Sequence, residues 1–319
     1  MTIDVNPASR EEIVALWEES PHSSVFTHPD VLSRLSQGVD WWIAWKGQEP
    51  QCFWPVCTPA GTEVGLPDLT YYVGPMWTSV AFPIAPHRWL TRTKRVYEAF
   101  IQRFLSEYGC IHACLPKGLL DVRAFDWWNY HQDDKPRFLL KPRYTACIHE
   151  LDQKDEKSIT GEFRQLRRRE LRSLKKGGPP PRTDQWSVDD LLRLYSDVMG
   201  CQDVGLESEN RSKIQALADL VRNGIGDVVA FIDPANEETI AACLILYGKG
   251  EANMVLNLVD SHWRESGLPA WMVTETIKAA QEKGMRTFDF NGANSPNRGD
   301  DKHSYGAEPV LFFEVHYSE

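Results

Sequence analysis

Apolar and polar positions follow two periods along this chain, and the switches between them mark its elements. From Val188 the apolar residues recur at 188, 191, 192, 195, 198 and 199, the spacing of a helix that buries one face, with Ser187 as its cap. Near the start, Ser9-Arg10-Glu11-Glu12 forms a capping box before IVALW and predicts a helix from residue 10. The segment WWIAWKGQEPQCFWPVC predicts two strands, Trp41–Trp45 and Gln51–Val56, joined by a turn around Gly47. LTYYVGPMW, residues 69–77, predicts a third extended run bent by its Gly-Pro. Residues 88–108 have partly helical spacing and stop at Gly109, and IHACL then predicts a short buried strand. The first half therefore runs helix, hairpin, strand, helix, strand.

The second half repeats that order. EFRQLRRRELRSLKKGG predicts a basic helix, stopped by two glycines and by the prolines 179–181. Its buried stripe is expected from Phe163, Leu166, Leu171 and Leu174. ENRSKIQALADLVRNG predicts another helix. DVVAFID, TIAACLILY and ANMVLNLV predict three consecutive strands, PAWMVTETIKAAQEKG a helix, and RTFDF and VLFFEVH the closing strands. No residue-level repeat joins the halves, but the element order is alike. The crossing lies in residues 130–160, which gives two expected domains, 1–150 and 151–319, of strand-rich α+β class with mixed sheets.

Composition narrows the function classes. A chain of 319 residues with 42% hydrophobic and 25% charged residues can bury a full core, as soluble globular proteins do. It has no apolar run near the about 18 residues of a membrane span. The N-terminus lacks the pattern of a secretory signal, so a cytoplasmic location is expected. Seven cysteines without a CxxC are expected to be reduced and core-filling. Nine histidines without HxxxH or HExxH spacing support no metal site. Twelve tryptophans, with Trp41, Trp42, Trp45, Trp54 and Trp77 clustered in the first half, supply either core packing or a groove that stacks on a substrate.

The net charge of −10 argues against a protein that coats nucleic acid, yet Arg164 to Lys176 holds seven cations against one glutamate. That helix is either a solvated face or a phosphate-contacting surface, with Arg168, Arg169 and Arg172 on or beside its exposed side. A second candidate follows ANMVLNLVD. There a strand enters a turn with Arg264 and Gly267 and then a helix, which is either an anion site at a helix N-terminus or a plain turn. The third is the polar loop inside FDFNGANSPNRGDDKHSYGAEPVLFFEV, residues 288–315, which is a solvated turn or closes over a ligand.

These segments together resemble the FemAB-like branch of the GNAT N-acyltransferase superfamily. The shared features are Arg264-x-x-Gly267-x-x-Ala270 after the third strand, Phe288-Asp289-Phe290-Asn291-Gly292, and Lys302-His303-Ser304-Tyr305-Gly306-Ala307-Glu308-Pro309-Val310. The run Arg168 to Gly177, the LTYYVGPMW segment and RAFDWWNY…PRYTACIHEL extend the likeness over nearly the whole chain. The resemblance implies two tandem GNAT-like domains, each a mostly antiparallel sheet flanked by helices. It also implies acyl transfer from acyl-coenzyme A, as a co-substrate with no permanently bound cofactor, to a small-molecule amine acceptor. An amino sugar or another cell-envelope precursor, phosphorylated or nucleotide-linked, would fit. An aminoacyl-tRNA donor is the alternative, and a binding protein with GNAT halves that have lost catalysis is a third.

By the same resemblance Arg264, Gly267 and Ala270 would hold the donor. Arg168, Arg169, Arg172, Lys302 and Tyr72 would hold the substrate. Asp289, His303 and Tyr305 are the side chains that could move protons during amine attack. Two departures stand out: Pro269 ends the Q/R-x-x-G-x-G/A turn, and Asn291 replaces a glutamate common after Asp-Phe.

Overall fold

The capping box at Ser9 starts the first helix, as its sequence requires: Ser9 Oγ accepts from the Glu12 N–H at 3.3 Å, and Glu12 accepts from the Ser9 N–H at 2.8 Å. A computed structural model describes residues 2–61, 63–81, 85–200 and 209–318. The chain forms two compact units, Met1–Tyr144 with Val310–Glu319, and Thr145–Pro309. The second unit thus begins near the expected crossing, but the last ten residues join the first unit. An apolar final strand can add to any open sheet edge, and order along the chain does not say which.

Unit 1 contains β1 (Asp4–Pro7), α1 (Arg10–Glu19), α2 (Pro29–Leu35), β2 (Gly38–Lys46), β3 (Glu49–Thr58), β4 (Met76–Trp77), α3 (Pro86–Tyr108), β5 (Cys110–Cys114) and α4 (Arg123–Asp126). β1 to β4 pair in chain order as an antiparallel sheet. The run 69–77 is a strand only at Met76–Trp77, because Leu69 and Tyr72 have φ of 59° and 56°, outside the extended region. α3 stops where Gly109 turns to φ 68°.

Trp42, Trp54 and Trp77 fill the core of unit 1. Trp54 is 2% exposed, with Phe100 and Phe104 edge-on at 5.3 and 5.2 Å, and Trp42 and Trp77 are buried beside the same helix face. Core packing therefore accounts for these rings, and no stacking groove is needed to explain them.

β6 (Leu139–Ile148) leaves unit 1 after Tyr144. Unit 2 continues with α5 (Glu156–Glu162), α6 (Gln165–Gly177), β7 (Arg182–Thr183), α7 (Val188–Gly200), α8 (Glu209–Arg222), β8 (Gly226–Ile232), β9 (Thr239–Tyr247), β10 (Glu251–Val259), α9 (Leu268–Glu282), β11 (Thr287–Asp289) and α10 (Pro296–His303). β12 (Glu308–Ser318) then crosses back and pairs antiparallel with β5.

In unit 2 the strand order is β6-β11-β10-β9-β8-β7. Only β10 and β11 run parallel, and α9 makes the crossover such a pair needs. β9 is buried on both faces along nearly all its length, which is why TIAACLILY has no polar alternation. The loop expected between the last two strands contains α10, whose short polar sequence has no apolar period to announce it.

Cys52, Cys57, Cys110, Cys114, Cys147 and Cys243 are free thiols, and Cys201 lies outside the described residues. No helix among the described residues is long and apolar enough to cross a membrane.

Truncating the Trp54 side chain tests the unit 1 core. Trp54→Ala is expected to cost about 3–5 kcal/mol of unfolding free energy in urea titrations followed by circular dichroism.

Candidate active site

Two parallel strands part in unit 2. β10 and β11 pair over only three positions, Glu251↔Thr287, Ala252↔Phe288 and Asn253↔Asp289, although β10 continues to Val259. On its other side β10 slips register against β9 between Met254 and Leu256, so a bulge falls just past the last paired residue. Beyond Asp289 the chain turns toward β6, and the Phe290 N–H donates to the Ala146 carbonyl at 2.9 Å.

Polar contacts lock that divergence. Asn291 adopts φ 53° and is 1% exposed. Its N–H donates to Asp289 Oδ1 at 2.8 Å, and its side-chain amide donates to the Met254 carbonyl of β10 at 3.0 Å. Asp289, with no exposure, also accepts from the Thr145 hydroxyl. From α10, Lys302 Nζ donates to the Asn291 and Gly292 carbonyls, the latter at 2.9 Å. Burial pulls the Lys302 ammonium down to about 8, while the Asp289 carboxylate opposes that fall.

Buried amides nearly always find partners. Among the described residues, neither side-chain atom of Asn253 makes a hydrogen bond, nor does Asn291 Oδ1, although Asn253 has no exposure. These three atoms lie where the ladder ends, so the point at which the strands part retains unspent donor and acceptor capacity.

Of the three candidate proton carriers, His303 has the most suitable geometry. Its Nδ1–H donates to the Ala307 carbonyl at 2.8 Å, which in the neutral ring leaves Nε2 as an acceptor. Asp289 is taken up by the contacts above. Tyr305 is 2% exposed, stacked on Phe290 at 5.7 Å and edge-on to Phe163 at 5.3 Å. Burial pushes its hydroxyl well above the usual phenol range, and Asp301 adds to that rise.

The basic helix presents a different face from the expected one. Leu166 is 60% exposed, and Arg167 takes its place on the buried stripe with Phe163, Leu171 and Leu174. Arg167 lies over the Tyr305 ring at 5.1 Å and donates to Ser304 Oγ at 2.9 Å, to Glu170 at 2.8 Å and to Asp301. Its spacing of four from Phe163 and from Leu171 was the available signal. Arg168, Arg169 and Arg172 are exposed, as expected, with Arg172 Nε donating to the Arg168 carbonyl at 3.1 Å. Tyr72 belongs to unit 1, where it is 1% exposed, under the Lys117 ammonium at 4.8 Å and edge-on to Phe312.

The turn after β10 is tied to its neighbours. Arg264 donates to Asp197 of α7 and to the Val259 carbonyl, both at 3.3 Å, which engages two of its five N–H donors. Gly267 has φ 87°, and a Cβ there would stand 2.9 Å from the Glu170 carbonyl oxygen. The close approach it permits is therefore α9 against α6. Ala270 is fully buried in the core beside α9's other apolar residues.

A fold that parts two strands beside a crossover helix defines this unit's class. Residues 161–303, which include the parted strands and α10, match the family described as an acetyltransferase (GNAT) domain, which supports an acyltransferase. Three solved structures extend the likeness to the whole chain. FemX is 11% identical with a TM-score of 0.59, covering 97% of this chain and 96% of that one. L-PGS from Bacillus licheniformis is 13% identical with a TM-score of 0.56, covering 98% and 93%. A tandem GNAT protein from the clavulanic acid biosynthesis pathway is 11% identical with a TM-score of 0.51, covering 99% and 98%. At these identities the likeness is one of fold, the α+β tandem GNAT arrangement. No curated protein matches the sequence.

Two substitutions test the site's scaffold. Gly267→Ala forces an L-residue into left-handed backbone against Glu170 and is expected to cost about 1–2 kcal/mol or more in chemical denaturation. Lys302 loses its proton at about 8 in the folded protein against 10.5 for the ordinary side chain, so its burial cost is full below pH 8. Between those values the folded chain deprotonates first. The stability of wild type relative to Lys302→Met is therefore expected to rise across that window, and a flat difference would show that the ammonium is not buried.

Proposed function

We propose that the protein transfers an acyl group from acyl-coenzyme A to the amine of a small acceptor, such as an amino sugar or another cell-envelope precursor. The observation that carries this reading is the three-residue β10–β11 ladder inside a segment that matches the acetyltransferase family. Past Asn253, β10 has a backbone edge that β11 does not cover. The pantetheine arm of coenzyme A is an extended chain with two amides, and such an edge can pair with it as a strand pairs. The thioester would then lie at the parted end, near the unpaired amides of Asn253 and Asn291.

In the reaction the acceptor nitrogen attacks the thioester carbonyl, an N–C bond forms and the C–S bond breaks. The amine's proton passes to His303 Nε2, and the coenzyme A thiolate leaves with a proton from the imidazolium or water. Positioning supplies much of the rate in such a reaction, because both partners are held for attack.

An aminoacyl-tRNA donor is the second reading, favoured by the exposed Arg168, Arg169 and Arg172 on α6, which could contact phosphates.

Thermal unfolding with acetyl-coenzyme A, a longer acyl-coenzyme A and a charged tRNA pool separates these readings. A donor at 100 times its Kd stabilises by about 2.7 kcal/mol, a measurable rise in Tm. Protection by the thioesters is expected, protection by charged tRNA alone would transfer the case to the second reading, and protection by none would end both. With a turnover assay in hand, His303→Gln is expected to lower kcat about a hundredfold or more with little change in donor KM.

A further inference from the structure

From Leu69 to Tyr97 the chain carries no carboxylate, and within that stretch Arg88, Arg92 and Arg95 recur at i, i+4 and i+7 on one stripe of α3. Like charges at i, i+4 weaken a helix, and cations near its start oppose the helix dipole. In a protein of net charge −10, this arrangement goes against local stability, and such departures concentrate at functional positions. The face of α3 that includes Tyr97, Phe100, Ile101 and Phe104 is buried in the core, so the stripe is held outward by packing.

The stripe lines a concavity. An open concavity of about 330 Å³ is lined by Lys46, His87, Arg88, Thr91, Arg92 and Arg95, with Ile3 of the first strand region as its apolar wall. Lys46 pairs with Glu49 at 3.7 Å, and Arg92 donates to the Ala81 carbonyl at 3.3 Å. Among the described residues the Arg88 and Arg95 side chains make no ion pair or hydrogen bond, although Arg forks are readily paired. A cleft lined by one sign of charge concentrates counter-ions, and guanidinium forks match phosphate oxygens two at a time.

We propose that this cavity of unit 1 is a phosphate site for a small phosphorylated molecule of diphosphate size. The scale of the cavity favours a small molecule: it lies in the range of small-ligand sites, whereas a membrane needs a broad face and a polynucleotide a long basic track. The site is independent of the acyl-donor reading, which rests on unit 2.

Calorimetric titration of the full chain with sodium pyrophosphate at low salt tests it, followed by a nucleoside diphosphate. Single-site binding is expected, weakened about tenfold or more in Arg88→Glu/Arg95→Glu. The milder Arg88→Gln/Arg95→Gln serves if the reversed charges impair folding, and an unchanged Tm shift with acetyl-coenzyme A shows that either variant retains its donor site. The proposal is overturned if wild type binds neither ligand, or if both double variants bind as wild type does. It is equally overturned if an RNA hairpin or phosphatidylglycerol vesicles bind through these arginines while pyrophosphate neither binds nor competes.

Discussion

The Asp289 carboxylate sits with no exposure at the last residue of β11, and the shape of the candidate site depends on what it accepts. One oxygen takes the Thr145 hydroxyl and the Asn291 N–H, which fixes the chain in a left-handed turn immediately after the strand. With that turn in place β11 cannot continue along β10, and the two strands separate after three pairs. A buried carboxylate without such donors would be costly, so the turn and the carboxylate stabilise each other. The parting of the strands is thus a consequence of local hydrogen bonding.

Much of the scaffold was legible in the sequence because its elements carry strong periods. α1 has its capping box, α7 its apolar stripe, and β9 the unbroken apolar run of a strand covered on both faces. What escaped had weak or contradictory local signals. LTYYVGPMW is rich in strand formers, but positive φ at Leu69 and Tyr72 is set by tertiary contacts that no propensity encodes. α10 has eight residues, nearly all polar, and is stabilised by where it docks. Val310–Glu319 joins the first unit, and the pairing of β12 with β5 spans two hundred positions of sequence or more.

For the candidate site, residue type alone left the placement of individual charges open. The cations of α6 looked equivalent by composition. The fold separates them: Arg167 is held against Tyr305, Asp301 and Glu170, while Arg168, Arg169 and Arg172 face outward. A helix places a residue by its angle relative to the buried stripe, and choosing Leu166 for that stripe rotated the face by one position. Arg264 and Gly267 show the same limit. Their residue types suit an anion site, yet the same fork and the same missing Cβ serve equally to bind Asp197 and to admit the Glu170 backbone. Side-chain chemistry states what a residue can contact, and only packing decides which contact it makes.

Asn291, the departure that stood out in the sequence, follows from this charge balance. Its neighbours already include one buried carboxylate, Asp289, and one buried ammonium, Lys302, which oppose each other's desolvation. A glutamate at 291 would place a second negative charge beside Asp289 in a region that water does not reach. It would also remove the amide donor that the Met254 carbonyl receives at 3.0 Å, since an ionised carboxylate can only accept. Asparagine keeps the donor, adds no charge and tolerates the left-handed backbone at φ 53° better than most residues. It therefore belongs to the structure of the parted strands, where it ties the turn after β11 to the Met254 carbonyl of β10.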